Sequence, residues 1–411
     1  MIKILIASIF IILLFSCKSE LNKNNSNLNE ENDTIKIESI PDCAIPFAYR
    51  GYILIPCIVD SVKGNFILDT GADALHLDSI FFIANDFKYK TIKKIKLWGV
   101  GNNFQRGIEI LDSVNFQFKN HNNITSNVLV SSLKPTGGDF IDGLIGLRNF
   151  KNKVLYVNYI SEYLILYNSI DSIDVSSYNL IPLTKKNDKL FMPLKLKIND
   201  KITIQGNFWI DLGSNTSIIS STVAEKYNFD QTITRKVAYY TKYGGIGGYS
   251  SGFDFISDSV LISKLYLQNV PFSFSTDKSG AMASDEYIGI IGNNILNRFD
   301  LLLDLKNNNL YLKSNANYSI PFEFDNSGFF IVDRNKTLGG FIVTGLHKNS
   351  PAEKQGLQTD DKIIFVNNVS VKKMSYKSFN NLLMKEDNIK LIVLRDEKVV
   401  HIKFKMIPLI K

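Results

Sequence analysis

Gly64-Asn65-Phe66-Ile67-Leu68-Asp69-Thr70-Gly71-Ala72 and Gly206-Asn207-Phe208-Trp209-Ile210-Asp211-Leu212-Gly213-Ser214 read almost alike. Each is an apolar, strand-like run that ends in an aspartate and a glycine turn. A second matched pair follows: Gly143-Leu144-Ile145-Gly146 after the first aspartate and Gly289-Ile290-Ile291-Gly292 after the second. The aspartates lie 142 residues apart and the closing glycines 146, so two independent motifs repeat at nearly one period. Taken singly, Asp-x-Gly is a common turn, because Asp bonds its own backbone and Gly takes positive φ. The ordered pair points instead to an internal duplication that brings two carboxylates to one place.

Outward from these stretches the chain stays strand-rich. Tyr49 to Val59 is a loose apolar strand, Val62-Lys63-Gly64-Asn65 reads as a turn, and Phe66 to Leu68 resumes the strand and delivers Asp69. Val128 to Val130, Val154 to Val157, Tyr163 to Tyr167 and Asp300 to Asp304 continue the pattern, with Gly, Asn and Asp between them. Helical periodicity is confined to short pieces such as Ser220 to Tyr227, with Ser220 as N-cap, and Asn293 to Arg298. The expectation is a mostly β body in two similar lobes, 41–170 and 171–317, with Ser169 to Leu183 as the passage between them.

Residues 318–411 read differently. Leu338 to Val343 is a strand that leads into Asn349-Ser350-Pro351-Ala352, and Asp360 to Val369 carries another strand after a turn. Ser350 suits an N-cap with Pro351 in the first helical position, and Gly356 suits the helix end. Tyr376 to Met384 is a second helix, and strands at Lys390 to Leu394 and Val399 to Met406 close an α+β domain.

The N-terminus reads as a targeting segment. Lys3 precedes the apolar core Ile4 to Phe15, which is too short to remain as a spanning helix. Leu14-Phe15-Ser16-Cys17 resembles a bacterial lipobox, which implies a signal peptide over 1–16 and lipidation of Cys17; an ordinary signal peptide containing a Cys is the simpler alternative. Diacylation supplies the several chains that stable membrane attachment requires. Residues 17–40, rich in Asn, Lys, Glu and Ser after Cys17, read as a flexible tether. Of the remaining cysteines, Cys43 and Cys57 either bridge, as an exported compartment permits, or leave Cys57 a buried free thiol. The net charge of +7 is spread without basic clusters that interleave aromatics, so no nucleic-acid partner is expected. The four His and three Cys show no metal-ligand spacing, and neither metal nor cofactor is expected.

Asp69-Thr70-Gly71-Ala72, Asp211-Leu212-Gly213-Ser214 and the two Gly-apolar-apolar-Gly turns closing at Gly146 and Gly292 resemble a retropepsin-like or pepsin-like aspartyl protease with both lobes in one chain. Residues 318–411 resemble a PDZ domain, on the strength of Ser350-Pro351-Ala352, Gly356-Leu357, Asp361-Lys362-Ile363 and Val366-Asn367-Asn368. The combination is similar to exported bacterial lipoproteins of the cell envelope. It implies a catalytic dyad, Asp69 and Asp211, that hydrolyses peptide bonds of polypeptide substrates through an activated water. It also implies a mobile hairpin over the substrate, for which Trp98-Gly99 and Tyr243-Gly244 are the candidates and a plain glycine-rich tip the alternative. At the PDZ-like domain it implies a loop at Ser327-Gly328-Phe329 that captures the C-terminal carboxylate of a protein partner; a PDZ fold used only for internal packing is the alternative.

One departure from the family pattern stands out. The family has Thr after each catalytic Asp, and the two hydroxyls cross-link the loops; Thr70 keeps this and Leu212 does not. Ser214 offers a hydroxyl to Asp211, whereas Ala72 offers none to Asp69. The sequence therefore leaves two readings: a membrane-anchored aspartic endopeptidase with PDZ-mediated recognition, or a catalytically impaired, protease-like binding or scaffold lipoprotein.

Overall fold

A computed structural model describes residues 40–410. The expected signal peptide, most of the tether and Cys17 lie outside the described residues. Within them the two repeats adopt the same local topology. In the first, Val62–Leu68 runs up to Asp69, the chain turns, and Leu75–Asp78 returns. Gly143–Ile145 inserts between these arms, parallel to the first with Leu68 opposite Ile145 and antiparallel to the second. In the second, Ile202–Ile210 runs up to Asp211, Ile218–Ile219 returns, and Gly289–Ile291 inserts parallel to Ile202–Ile210 with Ile210 opposite Ile291.

Alternation along these strands decides what faces where. Phe66, Leu68, Phe208 and Ile210 point into a large core shared by both lobes, whereas Ile67 and Trp209 point to the opposite face, the face of the aspartates two residues on. The lobes are welded below the site by a six-stranded sheet. There Val154–Asn158 of the first lobe pairs with Phe299–Asp304 of the second, Val154 opposite Asp304, and both strands are almost wholly buried.

The expected turn at Val62 to Asn65 is corrected. Ile53–Val59 and Val62–Leu68 form one hairpin whose turn is Asp60-Ser61, with φ of 41° and 76°. Positive φ at two central residues gives the hairpin its proper twist, and Asp is tolerated there. The Asp60 carboxylate is fixed by the N–H of Asn115 and the hydroxyl of Tyr89. Gly64 lies inside the strand because a Cβ there would stand 2.9 Å from the Phe66 ring. Cys43 and Cys57 are not bridged: the first is exposed, the second buried.

The C-terminal domain, with its own core around Phe341, Phe379 and Val393, holds the helix Tyr376–Lys385 against the strands Phe329–Arg334 and Gly340–His347. It is not a loose appendage. Lys236–Thr241 of the second lobe pairs with Gly340–His347, Tyr239 opposite His347 and Thr241 opposite Gly345, so one sheet runs through both. A Cβ at Gly345 would stand 2.4 Å from the Tyr240 carbonyl, and His347 Nε2 meets Asp254 Oδ2 of the second lobe at 2.7 Å. On the other side, Asp139 N–H of the first lobe donates to the Asp333 carbonyl at 2.8 Å, and Arg334 Nε meets the Asp139 carboxylate at 2.7 Å.

Candidate active site

The structure brings Asp69 and Asp211 together at the lobe interface, their carboxyl groups within hydrogen-bonding reach. Each loop is held the same way. Asp69 N–H donates to the Ile145 carbonyl and Asp211 N–H to the Ile291 carbonyl, both at 3.0 Å. The glycines beyond those strands carry the loops from beneath: a Cβ on Gly146 would lie 2.4 Å from the Asp73 carbonyl carbon, and one on Gly292 2.3 Å from the Thr216 carbonyl oxygen. Gly71 and Gly213 are exchanged between loops, each lying against the other loop's carboxylate. A Cβ on Gly71 would stand 2.9 Å from Asp211 Cγ, and one on Gly213 2.5 Å from Asp69 Cγ.

The two carboxylates are unequal. Asp69 Oδ1 accepts N–H bonds from Gly71 at 2.7 Å and Ala72 at 3.0 Å, whereas Asp211 Oδ1 accepts that of Gly213 at 2.8 Å. Burial pushes both above the usual carboxylate range; at Asp211, raised well above it, the charge of Asp69 adds to burial. The extra backbone donor favours the charge on Asp69 and the proton on Asp211, within a pair that titrates as a unit. Ser214, offered by the sequence as a partner for Asp211, turns away: its hydroxyl donates to the Thr216 carbonyl at 2.7 Å.

Thr70 Oγ1 donates to the Ile210 carbonyl at 2.8 Å and accepts the Leu212 N–H at 2.9 Å, bridging the two aspartate loops. Leu212 returns no hydroxyl; its side chain is fully buried in the common core. The second loop is gripped instead by a residue the sequence reading missed. Asn293 Nδ2 donates to the carbonyls of Leu212 at 2.7 Å and Ser214 at 3.1 Å, and the Tyr159 hydroxyl of the first lobe donates to Asn293 Oδ1 at 2.8 Å. Asn293 directly follows the Gly289–Gly292 motif, which was the available signal; Tyr159 carried none.

The walls beside the dyad share one register. Leu54, Ile67 and Leu144 line one, Ile67 opposite both its neighbours in register. Phe191, Trp209 and Ile290 line the other in the same register. Both candidate flaps reach these walls and meet each other. Val100, beyond Trp98 and Gly99, packs on the Trp209 wall, and Ile246, beyond Tyr243 and Gly244, packs on the Ile67 wall. Asn103 N–H donates to the Gly247 carbonyl and Asn102 N–H to that of Tyr249, each at 3.0 Å, while Gly99 accepts from Ala281 N–H at 2.9 Å. Asn102 Nδ2 donates to the buried Asp277 at 2.7 Å. Trp98 itself is exposed, its ring 5.7 Å from that of Phe104 and tilted to it; Tyr243 and Gly244 sit at the base of their loop, Gly244 N–H bonding the Gly248 carbonyl at 2.9 Å.

At the C-terminal domain, Ser327, Gly328 and Phe329 enter the strand Phe329–Arg334. Gly328 has φ of 83°, and its carbonyl accepts from His347 N–H at 2.9 Å. Ser327 is buried, its hydroxyl donating to the Phe329 carbonyl at 3.2 Å.

The architecture is a two-lobed, mostly β body built on a repeated strand–loop–strand unit, with a PDZ domain sharing its sheet. Residues 325–394 match the PDZ domain family. Among solved structures, the aspartic proteinase from Irpex lacteus superposes with a TM-score of 0.43 and 13% identity over 67% of this chain and 98% of that one. No curated protein matches the chain.

Proposed function

We propose that this protein is an aspartic endopeptidase. The observation that carries the reading is the Asp69–Asp211 pair, two carboxyls in reach of one another with raised proton affinity and each seated on the other loop's glycine. Asp69 takes a proton from a water bound between the carboxyls as its oxygen attacks the scissile carbonyl, and Asp211 donates its proton to the carbonyl oxygen. The resulting tetrahedral diol collapses, the C–N bond breaks, and the amine leaves with a proton from the dyad. Neither a covalent intermediate nor a metal is required. The hairpin tips at 98–104 and 243–249 close over the bound chain and exclude water.

The PDZ domain serves recognition: the loop at Ser327 to Phe329 takes a C-terminal peptide of a substrate or partner. Lipid on Cys17 holds the body at a membrane of a bacterial envelope, the segment to residue 40 acting as tether; the sequence alone supports this part. The test is digestion of an unfolded protein by the full-length chain in detergent. Cleavage that disappears in Asp69→Asn supports the endopeptidase. Equal digestion by both, or by neither, leaves the binding or scaffold reading, which the absent hydroxyl at Leu212 favours. Transfer of Cys17→Ser from the membrane to the soluble fraction checks the anchor.

A further inference from the structure

The two walls of the cleft differ in one respect that their shared register does not hide. Around Ile67 the wall is made of Leu54, Leu133, Ile141 and Leu144, with the Tyr52 phenol packed against it. Its counterpart carries two hydrogen-bond donors, and among the described residues neither meets an acceptor. Trp209 is 5% exposed, and its indole N–H meets no acceptor among the described residues. Lys189 lies two residues before Phe191 on the strand Lys189–Asn199, so it shares the face of Phe191, which pairs with Trp209. Its ammonium stands 4.0 Å from the centre of the indole ring. Among the described residues no carboxylate lies within ion-pair distance of it: Glu286 is engaged by Lys186 at 2.9 Å, and Asp73 is offset by Arg148 and Lys185 as well. Burial lowers the affinity of Lys189 for its proton, and Asp73, Glu286 and Asp211 act on it from a distance to restore it.

A buried N–H without an acceptor and a half-buried ammonium without a counter-ion are each costly, and both are relieved by one acceptor-rich group. Their place is fixed by Trp209, on the face of Asp211 and two residues before it. We propose that Lys189 and the Trp209 indole N–H form a subsite for a substrate carboxylate beside the scissile bond, opposite an apolar subsite built on Ile67. The inference rests on the cleft being a peptide-binding cleft, as in the function proposed above. The carboxylate is either an Asp or Glu side chain or the chain's own C-terminus; both offer the same chemistry. Specificity of this kind is strong where a site has built donors, because the uncharged analogue leaves them unpaired.

Binding is measured with full-length Asp69→Asn, which holds peptides without cutting them, using fluorescent peptides that place Glu or Gln next to an apolar residue, each with a free or an amidated C-terminus. The expected result is binding about tenfold tighter for Glu than for Gln with amidated peptides. If amidation rather than Glu→Gln abolishes binding, the carboxylate is the chain terminus. In either case adding Lys189→Glu removes the preference, which assigns it to the cleft and not to the PDZ groove. Lys189→Met keeps the stem and a matched thermal unfolding curve controls for folding. Trp209→Phe weakens the Glu peptide several-fold while leaving the Gln peptide unchanged. Equal affinity for all four peptides, or a preference that survives Lys189→Glu, overturns the subsite. Peptides bound with this preference by Asp69→Asn but never cut by the wild type would retain the subsite and remove the protease reading.

Discussion

Gly213 lies against the carboxylate of Asp69, so close that a Cβ at 213 would stand 2.5 Å from Asp69 Cγ and 2.6 Å from Oδ1. Gly71 makes the same approach to Asp211. The dyad is thus spaced by two glycines, each belonging to the partner loop. Gly213→Ala is expected to push the carboxylates apart, reducing kcat by at least about 100-fold, as small displacements of reacting groups do, and to destabilise the fold by roughly 1–3 kcal/mol through overpacking. Peptidase assays and urea unfolding read the two effects separately.

The raised proton affinity of the dyad has a consequence for stability. Carboxyls whose folded pKa exceeds the unfolded one hold more protons in the native state, so their ionisation weakens the fold as pH rises above the ordinary carboxylate range. Asp211→Asn removes that burden. It is expected to be inactive yet to melt at a higher temperature than wild type at pH 7, with the difference vanishing towards pH 3. Calorimetry across that range checks it; a variant less stable at every pH contradicts the assignment.

Thr70 bridges the loops without a matching hydroxyl from residue 212. Thr70→Ala leaves the Ile210 carbonyl and the Leu212 N–H without their partner, at a cost of roughly 1–3 kcal/mol for each buried group left unpaired. Thr70→Ser retains the hydroxyl and should stay near wild type in denaturant titration, whereas Thr70→Val should resemble the alanine variant.

The hairpin tip at 98–104 is pinned through a side chain. Asn102 reaches Asp277 at 2.7 Å and accepts the Lys278 N–H at 2.7 Å, while Asp277 also takes the hydroxyl of Ser250 at 2.6 Å. In Asn102→Ala, amide exchange across 98–104 is expected to quicken about tenfold, the loss of roughly one hydrogen bond's worth of closure, with little change in overall melting. Hydrogen exchange read by mass spectrometry makes the comparison.

Much of the candidate site was legible because its signals are local. Asp69 and Asp211 announce themselves through their glycines, and the strands Gly143–Ile145 and Gly289–Ile291 through a pattern repeated at the same period. Ser220 and Ser350 cap the helices expected of them, accepting from Val223 N–H and Glu353 N–H. The turn at Asp60-Ser61 was misplaced because Gly64-Asn65 mimics turn chemistry, and only the register with Ile53–Val59 shows that Gly64 makes room for an aromatic ring. Asn293 and Tyr159 escaped because an amide and a phenol 134 residues apart carry no motif.

The sequence by itself determined the duplication, the two carboxylates with their glycine turns, and the PDZ pattern at the C-terminus, since each is written in contiguous residues whose backbone demands are local. Only the tertiary structure decided the rest: that Asp69 and Asp211 are unequal in hydrogen bonding, that Asn293 grips the loop lacking its threonine, that the two hairpin tips lock onto each other, and that the PDZ domain shares a sheet with the second lobe. Hydrogen bonds between distant segments, and the burial that shifts a carboxyl group, exist only once packing has brought those segments together.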